Sequence, residues 1–384
     1  MMNELMEYSL NRPAELIKLR AKGTKVIGYF AGDFIPEELI YAAGAIPICL
    51  LHGGDNRSVD EALAYTTRLL CPFSRAQIGQ RFTKEQPYYT MLDLLISPVS
   101  CQHLRRAGDV WEEFSGVPVF RVGVGLKQNE VGAQWYADAL KLMQDRLEEL
   151  TGNKITHEKL KEAIEIYAKI RELLKKISLL RKSPNPSIST VDFIKLNHLS
   201  YLLAPEVMVE RLESLYEELK KKKEEESNNK PRLMIVGPAI ALGDNKIFSL
   251  IEDAGATVVV ENFCEGVRNY WTDIDINNGN LIAALAQRNI VKRPACAFMR
   301  DSLRPSLNFI LKLAKEFNID GIIYYWMKYC ETYEIESLYI IEKLQDEGIP
   351  IILLESEYIA NEAQSMKTKI EGIIEIIKSK KAML

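Results

Sequence analysis

Residues 25–51 read KVIGYFAGDFIPEELIYAAGAIPICLL, and this stretch decides the fold. Lys25 to Phe30 is a short apolar run with the composition of a strand, and Gly32 with Asp33 marks a turn after it. Pro36, Glu37 and Glu38 open a helix, because proline suits a first turn and acids suit the positive end of the helix dipole. That helix covers about 36–43 and ends at Gly44; Ala45 to Leu51 (AIPICLL) is the next strand, closed by Gly53 and Gly54. Strand, helix and strand in so short a span predict a β-α-β unit, and therefore a parallel sheet.

The pattern extends outward. Residues 1–22 form a helical lead-in. MLDLLI (91–96) predicts a strand leading into Ser97-Pro98-Val99-Ser100-Cys101, PVFRV (118–122) predicts another, and a helix covers about 133–150. From about 156 to 226 apolar residues recur three and four apart, as at Leu160, Ala163, Ile164 and Tyr167, which is a helical period. The charged run KKKKEEESNNK (220–230) reads as a linker or a solvated helix end. A second α/β unit starts at Arg232, with strands at 233–236, 257–261, 321–325 and 349–355 and helices at about 245–254, 309–317 and 335–347, before a long closing helix. The expected fold is α/β: two parallel-sheet, Rossmann-like or flavodoxin-like domains, 1–150 and 231–384, with a helical segment and linker at 151–230 between them.

Composition narrows the function. The 384 residues are 47% hydrophobic and 27% charged, the profile of a soluble protein of two or three domains. Forty-nine basic residues are spread among 53 acidic ones, so no basic face points to nucleic acid. No apolar run reaches the roughly 18 residues that span a bilayer. The start, MMNELMEYSLNRPAEL, lacks the apolar stretch of a signal peptide. A cytoplasmic protein with no membrane partner is expected.

Six cysteines stand at 49, 71, 101, 264, 296 and 330. In a reducing compartment these are buried thiols, metal ligands or redox groups rather than a disulfide framework. Cys101 lies a few residues past the strand 91–96, and Cys330 past the strand 321–325. Cys71 precedes Pro72, which can open a helix. All three therefore lie on loops at strand ends or helix starts, and open parallel sheets collect functional groups beyond strand ends. Cys49, inside AIPICLL, reads as core. Thiolates converging from two domains would place an iron–sulfur cluster in the cleft between them, and three ligands rather than four leave one iron open. No CxxC pair supports a zinc ribbon or a bacterial ferredoxin pattern. No GxxxxGK[ST] phosphate loop is present, so ATP binding is not indicated and energy coupling would come from a partner.

Six segments carry a family likeness: GYFAGDFIPEELIYAAGAIPICL (28–50), LLCPFSRAQIG (69–79), ISPVSCQHLRR (96–106), ENFCEGVRNYWTD (261–273), IIYYWMKYCETYEIE (322–336) and DEGIPIILLESEY (346–358). Through them the chain resembles the dehydratase components of the 2-hydroxyacyl-CoA dehydratases and the cluster subunits of ATP-dependent benzoyl-CoA reductase. The resemblance implies a [4Fe–4S] cluster on Cys71, Cys101 and Cys330, and pairing with a homologous sister subunit or as a homodimer. It also implies a separate ATP-dependent activator that injects one electron at low potential, and an acyl-CoA substrate. In the dehydratases the thioester becomes a ketyl radical and the hydroxyl leaves as water; in the reductases electrons pass into an aromatic ring.

Other residues have two readings each. Glu37 and Glu38 are carboxylates near substrate or ordinary helix-start acids. His52, between a strand and two glycines, is a proton donor to substrate or a surface loop histidine. His103 and Arg105 tune the cluster or are solvated helix-start residues. Trp326 and Tyr329 are expected to wall the cluster from water. Cys264 faces the cleft or is buried, and the role of Cys296 stays open. Arg268, Asn269 and Tyr270 are candidates for the CoA moiety or a partner. Two alternative functions remain: a reductase of small molecules with an [8Fe–9S] double-cubane cluster, against which Gln86 stands where an extra cysteine is expected, and a non-catalytic electron-relay subunit.

Overall fold

The computed structural model describes residues 2–382 except 33, 223–228 and 278. Asp33 and most of the charged run 220–230 therefore lie outside the described residues. The chain runs α1 (Met2–Ala21), β1 (Val26–Phe30), α2 (Glu37–Ala42), β2 (Ile46–Leu50), α3 (Asn56–Glu61), α4 (Pro72–Thr83), β3 (Leu94–Val99), α5 (Gln102–Phe114) and β4 (Val119–Gly123). Four helices follow: α6 (Glu130–Thr151), α7 (His157–Leu180), α8 (Thr190–Leu199) and α9 (Pro205–Lys221). The remainder is β5 (Arg232–Val236), α10 (Lys246–Asp253), β6 (Thr257–Asn262), α11 (Val267–Tyr270), α12 (Leu281–Ala286), α13 (Leu303–Glu316), β7 (Gly321–Met327), α14 (Glu331–Asp346), β8 (Ile351–Ser356) and α15 (Ala363–Ala382). No helix among the described residues is long and apolar enough to cross a membrane.

The strands form two four-stranded parallel sheets, ordered β2-β1-β3-β4 and β6-β5-β7-β8. The expected α/β class with two parallel sheets is what the chain adopts. In each sheet an inner strand, β1 or β7, is buried along its whole length, as continuous apolar runs in covered parallel sheets are.

The third strand lies further along the chain than its apolar run suggests. It covers Leu94–Val99 and contains Pro98. Its pairing with β1 ends at Ile96, whereas its pairing with β4 continues to Val99. Pro98 thus sits where β3 has only one neighbour, and a missing N–H is tolerated there.

The two sheet units meet at backbone level just past β2. Leu242 N donates to Leu51 O at 2.8 Å and Gly53 N donates to Leu242 O at 3.2 Å. The approach needs glycine: Gly54 has φ +87°, and a Cβ there would lie 2.6 Å from the Asp244 backbone. A buried charge network adds a second tie. Arg171 of α7 reaches Glu38 of α2 at 2.7 Å and Asp273, beyond α11, at 3.0 Å. Arg181 at the end of α7 meets Glu261 of β6 at 2.7 Å, both fully buried.

Candidate functional site

Three helices begin at a cysteine. Cys71 is the N-cap of α4, Cys101 of α5 and Cys330 of α14. Pro72 fixes the start of α4. Before Cys330, Tyr329 takes φ +66°, in the left-handed region that ordinary side chains avoid. This sharp turn lets Cys330 N donate to Met327 O at 3.0 Å, and Trp326 Nε1 braces the turn by donating to Cys330 O at 3.0 Å. The Cys71 backbone is held by His103 of α5, whose Nδ1 accepts the Cys71 N–H at 2.8 Å. Burial lowers the pKa of His103, in keeping with the neutral ring such an acceptor requires.

Cys71, Cys101 and Cys330 line one small cavity of about 80 Å³. Each sulfur is served by amides of its own helix's first turn: Phe73 and Ser74 for Cys71, His103 and Leu104 for Cys101, Tyr333 for Cys330. The Leu104 amide lies 3.4 Å from Cys101 Sγ. Helix N-termini favour negative charge, so this cavity has three electropositive corners. The Cys330 thiol donates to Cys71, which lowers the Cys71 pKa and raises that of Cys330. Burial pushes Cys101 up to about 12.

Two more thiols, Cys264 and Cys296, line the same cavity with Glu265, Thr332 and Tyr333. The Tyr333 hydroxyl lies 3.7 Å from Cys264 Sγ and 3.5 Å from Cys296 Sγ. A hydrogen bond from Cys264 lowers Cys296 to about 6. No group of three histidine, cysteine or acidic side chains among the described residues could hold a single metal ion. A cubane asks for a different spacing, because each thiolate binds a separate iron and the ligands stand wider than round one ion. Three thiols lining one small cavity, each facing amide donors, match the donor chemistry of such a centre.

A second hollow of about 630 Å³ opens beyond Ser100 and Cys101, which line both spaces. It lies at the carboxyl ends of β3 and β4, the usual ligand position in a parallel sheet. Its floor is apolar, with the exposed side chains of Leu126, Val131 and Trp135. A Cβ at Gly123 would meet the Trp135 ring at 2.4 Å, so glycine is what lets the indole lie over the end of β4. Arg105, Lys127 and Arg300 provide three exposed cations around it.

The other sequence candidates fall elsewhere. Cys49 is buried inside β2. His52 does not line the cavity. It is buried against Tyr88 and Tyr89, and its backbone lies in the contact between the two sheet units. Burial pushes it down to about 4. Glu37 also lies away from the cavity, beside the Tyr29 phenol, and Glu38 is the partner of Arg171. Trp326 and Tyr329 do not wall the cavity; Met327, Thr332 and Tyr333 do. Arg268 and Tyr270 are buried and the half-buried Asn269 bonds Tyr201, so this trio offers little surface to a large ligand. Glu265 and Tyr333 are cavity residues that sequence reasoning misses. Position past β6 marks Glu265 by the same rule that marks Cys264, whereas Tyr333 has no local signal, because only the fold turns the first turn of α14 towards the cavity.

Residues 34–377 match the family model described as 2-hydroxyglutaryl-CoA dehydratase, D-component. Among characterised proteins, the chain is 25% identical to the (R)-phenyllactyl-CoA dehydratase beta subunit of Clostridium sporogenes, over 92% of each chain. It is 23% identical to the beta subunit of (R)-2-hydroxyglutaryl-CoA dehydratase of Acidaminococcus fermentans, over 98% of each. It is also 23% identical to one of the benzoyl-CoA reductase subunits of Thauera aromatica, over 85% of this chain and 84% of that one.

Proposed function

The chain belongs to the 2-hydroxyglutaryl-CoA dehydratase D-component family, and from that premise we propose that it is the iron–sulfur subunit of a 2-hydroxyacyl-CoA dehydratase or benzoyl-CoA-type reductase. The observation that carries this reading is the meeting of Cys71, Cys101 and Cys330, from three separate helix starts, at one cavity. These three thiolates would hold a [4Fe–4S] cluster, which when bound supplies low-potential one-electron transfer to an acyl-CoA thioester.

The chain's own residues do the rest. The first-turn amides of α4, α5 and α14 offset the negative charge gathered on the sulfurs. His103 holds the Cys71 loop in place. Leu104, Phe73, Phe298 and Met327 exclude water from the cavity. The hollow next to Cys101 takes the CoA arm, with Arg105, Lys127 and Arg300 meeting its phosphates and Trp135 its base, so that the thioester end reaches Ser100 and Cys101. A homologous sister subunit completes the enzyme, as the names of the related subunits suggest, and a separate ATP-dependent activator would deliver the electron.

A second reading, an [8Fe–9S] double cubane, draws support from the two extra thiols of Cys264 and Cys296 on the same cavity. Gln86, where such a centre's extra cysteine is expected, favours the single cubane.

Anaerobic reconstitution with iron and sulfide tests both. About four irons per chain fit the single cubane and about eight the double one. Cys71→Ala, Cys101→Ala and Cys330→Ala should each lose the brown chromophore, and Cys49→Ala should keep it. Loss of iron in Cys49→Ala with retention in Cys330→Ala would show the ligand assignment to be wrong. Acyl-CoA binding measured with and without a sister subunit separates a catalytic chain from an electron relay.

A further inference from the structure

Two buried arginines of this protein have a carboxylate close at hand, and among the described residues Arg268 has none. Arg171 and Arg181 are buried, and each has a carboxylate oxygen at 2.7 Å. Arg268 is equally buried, at 2% exposure, and among the described residues no carboxylate lies within ion-pair distance of it. Its Nε and Nη2 donate to Asn262, to Oδ1 at 3.0 Å and to the backbone oxygen at 3.1 Å. Its Nη1 points the other way, to the Tyr333 hydroxyl and, at 3.5 Å, to Cys264 Sγ. The buried carboxylate of Glu336, which acts on the guanidinium from further off, accepts instead from Ser306 and Tyr324, at 2.8 Å each.

A buried cation without a carboxylate is costly unless something anionic stands near it. What stands near Arg268 is the thiol wall of the cysteine cavity: Cys264, Cys296 and Tyr333 line that space, and Arg268 lies directly behind them. A cubane on three thiolates carries net negative charge and gains more on reduction. We propose that Arg268 is the fixed counter-charge of the anionic centre that the cysteine cavity holds, acting as a positioning residue through Cys264, Cys296 and Tyr333. The proposal rests on the reading of the cavity as a cluster site. It gives the second thiol pair a role as the contact layer between the guanidinium and the centre, with no ligand duty.

The test compares wild type, Arg268→Gln and Arg268→Lys, purified and reconstituted anaerobically as full chains. Iron per chain, the midpoint potential from an EPR-monitored titration, and thermal melts of the apo and loaded forms are measured. Arg268→Gln should shift the midpoint to more negative potential, with a tenfold change in the reduction equilibrium, about 59 mV for one electron. It should also retain less iron on desalting, while its apo form melts no lower than apo wild type. Arg268→Lys should restore most of the potential. Equal potentials and iron contents in wild type and Arg268→Gln would overturn the proposal. So would an apo Arg268→Gln that fails to fold or loses as much stability as the loaded form, since that marks a structural strut. Wild type that takes up no cluster refutes the cluster reading itself, and this inference with it, before any variant is compared.

Discussion

Replacing Arg171 by methionine should destabilise the protein by about 3–5 kcal/mol, the cost of leaving a buried charge without its partner. The magnitude comes from which partner is buried. Glu38, 2.7 Å from Arg171 Nη1, has a side chain only 6% exposed, and that of Arg171 is 7% exposed. Asp273, at 3.0 Å from Nη2, is 52% exposed and recovers water when the bond is lost, so it adds no more than about 1 kcal/mol. Methionine fills much of the arginine's volume, so the cost is that of the stranded Glu38 carboxylate. In a thermal melt of the apoprotein the midpoint should fall by roughly 5 °C. The double variant Arg171→Met with Glu38→Gln should recover most of the loss, because no buried charge then remains. Arg171 also ties α2, in the unit that carries Cys71 and Cys101, to the segment beyond α11, in the unit that carries Cys330. Iron retention after reconstitution should therefore fall in the single variant and return in the double. A loss under about 1 kcal/mol, or a double variant no more stable than the single, would refute the argument that Glu38 needs this partner.

Three further outcomes are expected. Gly79→Ala should be among the more damaging small substitutions, by about 1–3 kcal/mol in chemical denaturation, because the new Cβ would lie 1.7 Å from the Ser58 oxygen and force α3 from α4. Burial pushes His52 down to about 4 and His198 to about 3; between these values and the unfolded value of about 6.5 the unfolded chain binds more protons, so stability is lost as pH falls through that window. Denaturation midpoints measured from pH 7 to pH 4 should show this slope, and His52→Gln should reduce it by nearly one proton; an unchanged slope would mean that His52 titrates normally. Trp135→Ala should weaken acyl-CoA binding about tenfold, roughly 1.4 kcal/mol, with iron per chain unchanged; equal affinity by calorimetry would remove the hollow beside Cys101 as the CoA site.

Much of the architecture is legible because parallel sheets write themselves locally. An apolar run, a turn, a proline-opened helix and a second apolar run can close into little else, and residues 25–51 become β1, α2 and β2. The limits of that legibility are equally physical. The apolar run of β3 ends before Pro98, and no sequence window shows that its neighbour β1 stops pairing at Ile96 and leaves proline harmless. His52-Gly53-Gly54 looks like a loop with chemistry to offer; the glycines instead admit the second unit's backbone, and the histidine is buried behind that contact.

For the site, the sequence alone placed Cys71 before a helix, Cys101 and Cys330 past strand ends and Cys49 inside a strand, because proline, strand ends and apolar runs are local signals. It could not tell that Cys264 and Cys296 close the same cavity, or that Arg268 sits behind them with no carboxylate. Those relations join residues far apart in the chain, and they are decided by how two sheet units pack. Burial, and with it the demand that every enclosed charge find an opposite one, exists only once that packing is made.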